Sequence, residues 1–524
     1  MKSLFSLINP IKKTKDIHDE KANEIKTYPK KSIQDNKKKI TNRYQEMIKN
    51  DKKLITKPEG TSIIKPMELR LKYGSCLSCY RVLNVGDWCK VCETRKFEQN
   101  FKNWTSGYPK IDQLIRESQL NAIDGLDYFE WIDYEEIMNV EYITEGAFGK
   151  IFKGKWTRGP KHQLHSVSRD WTNVPDTTVA LKEIKSIDWK NIPSKSENAS
   201  LEMSEDEKEF NQFLNEVQNH QKFLRNDENH VLRCFGITKS PGDDIEITKW
   251  LKDESSCSKK RPKSNSYIMV MKWANDRDLL NYIENKVYDE KFTWYRRLEI
   301  LEELSGALDI IHSKDMVHKD LHCGNILMDD EDKFQFPAIS DLGLCGGSSK
   351  TSEIPKGVFS FIAPEHLNGS SKFTTASDIY SFGIIMWVIC CCELPYKEYK
   401  HDPLALIMNV LEGYRPEISK DIPKSYADLM KRCWDDDLKK RPKASELRNL
   451  FLEWKKHYHS NNSEFLIAEK VRLNRIKNPD LFDDVFGNQV YKKSKFNSYA
   501  GFENASPSNI FEEFEKIDFG KVEI

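Results

Sequence analysis

Residues 1–67 are rich in lysine, asparagine, aspartate and serine, with few aromatic residues and no sustained apolar period. Such a segment buries too little apolar surface to offset the entropy of ordering it, so it reads as a disordered basic arm. Residues 68–97 are a short stretch organised around paired cysteines. Within 98–135, Ile111, Leu114, Ile115 and Ser118 recur at helical spacing, which predicts a helical linker between two folded units. From residue 136 the pattern switches to strand alternation, in YITEGAFGKIFKGKW and TTVALKEI, and then to long helical patterns that end in ASELRNLFLEWKKHYH near residue 457. Strands first and helices after predict an α+β fold of two lobes, a small sheet lobe and a large helical lobe. Three polar stretches, Thr157 to Asp176, Ser186 to Glu205 and Pro241 to Lys263, break the pattern and read as surface loops. Residues 458–524 form a polar tail, mostly irregular, with one amphipathic stretch at LIAEKVRLNRI.

Composition narrows the setting. The 524 residues allow one large core with appendages, and Lys plus Arg equals Asp plus Glu at 82 each, so no global field favours nucleic acid or an anionic membrane. The apolar start of MKSLFSLINPIKKTK is short and broken by Pro10, and no run approaches the roughly 20 apolar residues of a membrane span. Membrane insertion is not expected. With 12 cysteines scattered through a long chain, a reducing compartment fits better than a disulfide framework. The expected location is cytoplasmic, with nuclear import through Lys30-Lys31 and Lys37-Lys38-Lys39 as the alternative to a merely solvated run.

Four cysteines stand apart from the rest. Cys76-x2-Cys79, nine residues and Cys89-x2-Cys92 form two knuckles that together supply the four thiolates of a tetrahedral zinc site, with Gly74 and Gly86 permitting the turns. A redox dithiol is the competing reading, but it accounts for one pair and not two. Tyr73, Tyr80, Arg81 and Trp88 are either stacking groups for bases or the small core of the module. Balanced charge favours structural support or a protein partner over nucleic acid.

The chemistry-bearing motifs lie further on and follow one order. ITEGAFGKI carries Gly146 and Gly149, which let backbone amides approach a phosphate, with Phe148 at the loop tip. Val179-Ala180-Leu181-Lys182 ends a strand with one cation, and FLNEVQNHQKFL offers Glu216 on a helix as its partner. Asp320 and Asn325 follow in Val317-His318-Lys319-Asp320-Leu321-His322-Cys323-Gly324-Asn325, and a second carboxylate, Asp341, in Ile339-Ser340-Asp341-Leu342-Gly343. A phosphate cradle, a cation, metal-binding carboxylate and amide groups and a group to orient a hydroxyl are the parts phosphoryl transfer needs.

With these motifs the chain resembles the eukaryotic protein kinase superfamily over roughly residues 140 to 457. Ala363-Pro364-Glu365, Ser377-Asp378-Ile379-Tyr380-Ser381-Phe382-Gly383 and Arg441 extend the match. The resemblance implies ATP and magnesium as cofactors and protein substrates. It makes Asp320 the catalytic base, Lys182 and Glu216 the phosphate-holding ion pair, and Asn325 and Asp341 the magnesium ligands. The ATP site it implies is lined by Ile143, Gly146, Ala147, Phe148, Gly149, Ile151, Ala180, Lys182, Met271 as gatekeeper and Ala274 in the hinge. His318 is a packing residue in that frame, and His322 either touches substrate or packs.

Cys433-Trp434 with Arg441-Pro442 is similar to the tyrosine-kinase-like group. HKDLHCGN behind a cysteine module resembles kinases of mycorrhizal fungi. Departures are Thr144 at the first glycine position, Leu342 after the metal-binding Asp, and Lys319, which keeps a charge but loses the planar fork of arginine. His322 and Val358 replace a lysine and threonine that pair in serine/threonine kinases, yet HCGN and GVFSFIAPE also lack the marks of tyrosine kinases, so serine/threonine specificity is expected. Between Asp341 and Glu365 the hydroxyl acceptors are Ser348, Ser349, Thr351, Ser352 and Ser360, with no tyrosine. The alternatives are a dual-specificity or tyrosine kinase, or a pseudokinase scaffold, against which the retention of all five polar groups argues.

Overall fold

The computed structural model describes residues 74–76, 78–83, 88–125, 127–146, 149–164, 171–184, 205–223, 231–241, 265–328, 337–347, 358–367, 372–399, 402–460 and 462–477. The basic arm, the lysine clusters and the polar stretch 242–264 lie outside them, as does all but the last residue of the stretch from Ser186 to Glu205.

The chain enters through α1 (Lys90–Asn100) and α2 (Pro109–Asn121), the second begun by a proline whose missing N–H costs nothing at a helix start. The sheet lobe is built from β1 (Glu130–Trp131), β2 (Ile137–Gly146), β3 (Gly149–Trp156), β6 (Thr177–Ile184), β7 (Cys234–Lys239) and β8 (Tyr267–Lys272) in the order β1-β7-β8-β6-β3-β2. β2, β3, β6, β8 and β7 pair antiparallel, whereas β1 joins the far edge parallel to β7, Glu130 opposite Gly236. A Cβ on Gly236 would meet the Glu130 carbonyl at 1.9 Å, so a residue without a side chain is what lets β1 approach. Helix α3 (Glu205–Phe223) follows β6.

Between β3 and β6 the sequence led us to expect a surface loop, and the structure differs. β4 (Lys161–Leu164) and β5 (Trp171–Asn173) form a hairpin, and Trp171 packs on Trp88 with ring centroids 5.5 Å apart. Trp171 and the Lys161 ammonium, which lies over the Phe97 and Tyr128 rings, fix a segment that is otherwise mostly polar.

The helical lobe contains α4 (Leu279–Lys286), α5 (Trp294–Ser313), the short hairpin of β9 (Ile326–Leu327) and β10 (Ala338–Ile339), α6 (Pro364–Leu367), α7 (Thr375–Cys391), α8 (Pro403–Leu411), α9 (Lys424–Cys433), α10 (Ala444–Lys456) and α11 (Glu464–Lys477). α7 is buried without interruption from Ser377 to Ile389, as a helix apolar on every face must be, and Thr374 with Ser377 caps its start. α11 is the amphipathic stretch of the tail. It packs on the lobe through Phe465, and its buried Glu469 accepts the Trp294 N–H at 2.8 Å. Among the described residues no helix is long and apolar enough to cross a membrane.

Candidate active site

The β2–β3 hairpin closes on Gly146 opposite Gly149, and Gly149 has φ +137°, open to glycine and strained for other residues. Ala147 and Phe148 lie outside the described residues. Ile143 on β2 and Ile151 on β3 are half-buried, and Ile151 sits opposite Lys182 on β6. Ala180 faces Met271 across β6 and β8, and Met271 and Ala274 are both buried at the strand's exit. These placements put Ile143, Gly146, Gly149, Ile151, Ala180, Lys182 and Met271 on one sheet, with Ala274 just beyond the end of β8.

Lys182 joins that sheet to both other parts of the site. Its Nζ lies 2.6 Å from Glu216 Oε1 on α3 and 3.2 Å from Asp341 Oδ1. Burial works against the ammonium charge, but the carboxylates of Asp341 and Glu216 outweigh it and hold Lys182 above its ordinary value. Asp341 is correspondingly lowered, its burial overcome by Lys182. Asp341 has φ +55° and turns its carboxylate back to accept the Gly343 N–H at 3.3 Å.

On the helical lobe, the loop from His318 to Asn325 is fixed from below. Asp378 of α7 accepts the His318 N–H at 2.8 Å, the Lys319 N–H at 3.0 Å and a hydrogen bond from His312 at 2.8 Å. The His318 ring accepts the Asp320 N–H at Nδ1, 3.3 Å, so its Nε2 carries the proton and donates to the Ser340 carbonyl at 3.1 Å. Asn325 donates to the Asp320 carbonyl at 2.9 Å and to its carboxylate at 3.2 Å. Burial, with the Asp341 charge adding to it, pushes the Asp320 carboxyl up to about 7. Asp320, Asn325 and Asp341 offer oxygen donors, which is the ligand type magnesium takes.

The sequence pattern of the family described as "Protein tyrosine and serine/threonine kinase" matches residues 137–451, more than half of the chain. The chain belongs to the protein kinases. Similar proteins from Dictyostelium discoideum include "Stress-activated protein kinase alpha", 25% identical over 70% of this chain and 51% of its own length. "Dual specificity protein kinase zakA" is 26% identical over 36% of this chain and 26% of its own. "Probable serine/threonine-protein kinase pats1" is 24% identical over 66% and 9%. The chain thus spans between about a tenth and a half of these relatives' lengths.

The kinase's departures from the usual motifs leave its polar groups in place. Leu342 is fully buried and packs as an apolar plug, and Lys319, at φ +72°, is tied through its backbone. The His322 ring accepts the Gly324 N–H at 3.1 Å, lies 3.7 Å from Asp320 Oδ1 and sits beside Phe361. Arg441 meets Glu365 through two parallel bonds of 2.7 and 2.9 Å. Of the hydroxyl acceptors, Ser360 is buried, while Ser348, Ser349, Thr351 and Ser352 lie outside the described residues.

Motif reasoning did not pick out Asn219, one turn beyond Glu216. Its side chain donates to the carbonyls of Leu342 at 2.9 Å and Cys345 at 2.8 Å, tying α3 to the segment that carries Asp341. The i, i+3 spacing from Glu216 was the available signal.

The four module cysteines converge. Sγ atoms of Cys76 and Cys92 are 3.7 Å apart, those of Cys79 and Cys89 3.5 Å, and all four lie within 4.8 Å of one another. A tetrahedral zinc with bonds of about 2.3 Å sets its sulfurs about 3.8 Å apart, so the cluster fits that ion. Burial acts to raise the Cys76 thiol, but the backbone amides of Cys79 and Ser78 and the neighbouring thiols outweigh it and lower it to about 7. Trp88 is not available to bases. It is buried between Phe97, Tyr128 and Trp171.

Proposed function

We propose that this kinase transfers the γ-phosphoryl group of ATP to serine or threonine hydroxyls of protein substrates. The observation that carries the proposal is the triangle of Lys182, Glu216 and Asp341, set in one cleft with a buried Asp320. In this reading Lys182, held charged by two carboxylates, neutralises the phosphates, and Glu216 keeps its Nζ aimed. Asn325 and Asp341 hold magnesium, which supplies neutralisation of charge on the transferring group. Asp320 orients the acceptor hydroxyl and takes its proton at a carboxylate oxygen. All five groups are present and mutually placed, which favours an enzyme over a scaffold.

Serine/threonine specificity rests on the lack of tyrosine-kinase marks in HCGN and GVFSFIAPE and on similar proteins named as serine/threonine-protein kinases, beside others named as dual-specificity kinases. The cysteine cluster is assigned to a structural zinc, and Cys433-Trp434 with Arg441 supports placement in the tyrosine-kinase-like group. The cytoplasm is the proposed location. Incubation of the full chain with labelled ATP, magnesium and generic protein acceptors, followed by phosphoamino-acid analysis, is expected to give phosphoserine and phosphothreonine. Phosphotyrosine as the main product overturns the specificity.

A further inference from the structure

Residues 104–132 lie before the segment matched to the kinase family, and they are built into its sheet lobe. The turn entering α2 is locked by Asp112, whose carboxylate accepts from the Thr105 hydroxyl at 2.6 Å and from the Ser106 N–H at 2.7 Å. The Tyr267 hydroxyl of β8 donates to the Ser106 carbonyl at 2.7 Å. At the other end of α2, Gln119 donates to the Phe129 carbonyl at 2.9 Å, and Ser118 accepts the Phe129 N–H at 3.0 Å, just before β1. α2 is therefore bolted to the sheet at both ends.

Its apolar face closes on α3. Ile111 and Ile115 are fully buried in one cluster with Phe210, Phe213, Leu214 and Val217, and Tyr108 meets Phe210 edge-on at 4.7 Å. The residues at 210, 213, 214 and 217 form one stripe of α3, while Glu216 and Asn219 project toward Lys182 and the Leu342 carbonyl. Polar contacts thus tie α3 to the catalytic segments, and its apolar stripe is shared between the sheet residues Cys234, Ile237 and Met269 and a helix from outside the matched segment.

We propose that this strap is the positioning element for Glu216: Tyr108, Ile111 and Ile115 hold α3 against the sheet so that the ion pair to Lys182 stays closed. It rests on the phosphotransferase reading. A weakened strap lets α3 move outward, Lys182 loses its orienting carboxylate, and phosphate binding suffers before protein-substrate binding does.

The test uses the full chain with Tyr108→Ala, at a half-buried position that leaves the fold intact, Ile115→Ala, and Ile115→Leu as the conservative rescue. Kinetics and amide hydrogen exchange are read together. Expected for Tyr108→Ala and Ile115→Ala are a loss of roughly tenfold in kcat/KM for ATP with KM for the protein substrate unchanged, and near wild-type values for Ile115→Leu. Exchange along 207–223 speeds up while that of α7 stays fixed. Unchanged exchange on α3, a rise in activity, or equal loosening of α7 overturns the proposal. If the wild type transfers no phosphate, the function reading fails, and the exchange arm still decides whether the strap holds α3.

Discussion

The loop carrying Asp320 and the helix carrying Glu216 face each other across one cleft and are held by opposite means. Three groups, two backbone amides and a histidine, converge on the single buried carboxylate of Asp378 beneath the loop. α3 is tied inward by Glu216 and Asn219, and its apolar stripe packs on the sheet and on Ile111 and Ile115 from a segment the family pattern does not include. A buried carboxylate that serves several donors leaves all of them unpaired when it is removed, whereas truncating one packed side chain costs in proportion to the apolar area it buried. The helical side of the cleft is a fixed platform, and the sheet side is adjustable through what covers α3.

The sharpest way to break this comparison is at the cleft itself. Asp341→Asn removes the charge that faces Lys182 and one oxygen ligand, and is expected to lower kcat by about a thousandfold with an unchanged melting temperature. Steady-state rates beside a thermal melt check it.

Next in size is the platform. Asp378→Ala orphans the buried His318 N–H and the half-buried Lys319 N–H and takes the carboxylate from His312, an expected loss of about 3 kcal/mol in the helical lobe, read by denaturant unfolding. Because the platform is over-determined, this loss should appear as unfolding and not as a graded fall in rate.

A pH series separates the lobes. Burial lowers His220 on α3 to about 3. Unfolded, this histidine binds a proton below about pH 6.5, so unfolding takes up a proton and the stability of α3 is full above that value. It falls as pH drops toward about 3, by up to about 1.4 kcal/mol per unit. Burial of Asp378 and Glu365 opposes their charge, but the hydrogen bonds from His312 and Arg441 outweigh it and hold both below the usual carboxylate range. Their contribution is present above about pH 4 and is lost only as pH falls below that. Between pH 6.5 and 4.5, exchange protection should therefore weaken along α3 first, and simultaneous weakening of α7 would contradict the comparison.

The smallest effect is expected at the cysteines. Converting Cys76 and Cys79 to Ser should release about one zinc per chain, since two ligands no longer close a tetrahedral site. Turnover should stay within about threefold of wild type, because the strap's bond to Tyr267 and the burial of Ile111 and Ile115 against α3 do not involve the cysteines. Metal analysis with parallel kinetics reads both.

The polar half of the site was legible because its chemistry fixes spacing: Asp320, Asn325 and Asp341 sit on short loops whose lengths the hydrogen bonds dictate. Helix periodicity likewise announced α2 through Ile111, Leu114 and Ile115, but a period says that a face is buried and not against what. The β4–β5 hairpin was missed because its residues are mostly polar and its contacts, Trp171 on Trp88 and Lys161 over Phe97 and Tyr128, leave no apolar period. In α11 the apolar signal is diluted by the buried Glu469 and the half-buried Arg472, which lie 2.7 Å apart and bond to Trp294, Asp289 and Glu290 of the lobe.

Phosphoryl transfer by Asp320 and its neighbours is read out on the protein acceptor itself. Transfer of labelled γ-phosphate to a protein acceptor is followed for the full chain and for Asp320→Asn at equal concentration with magnesium. Label on serine and threonine is expected from the wild type, and a rate lower by about a thousandfold from the variant. Equal label from both proteins, or none from a folded, nucleotide-bound wild type, would contradict it.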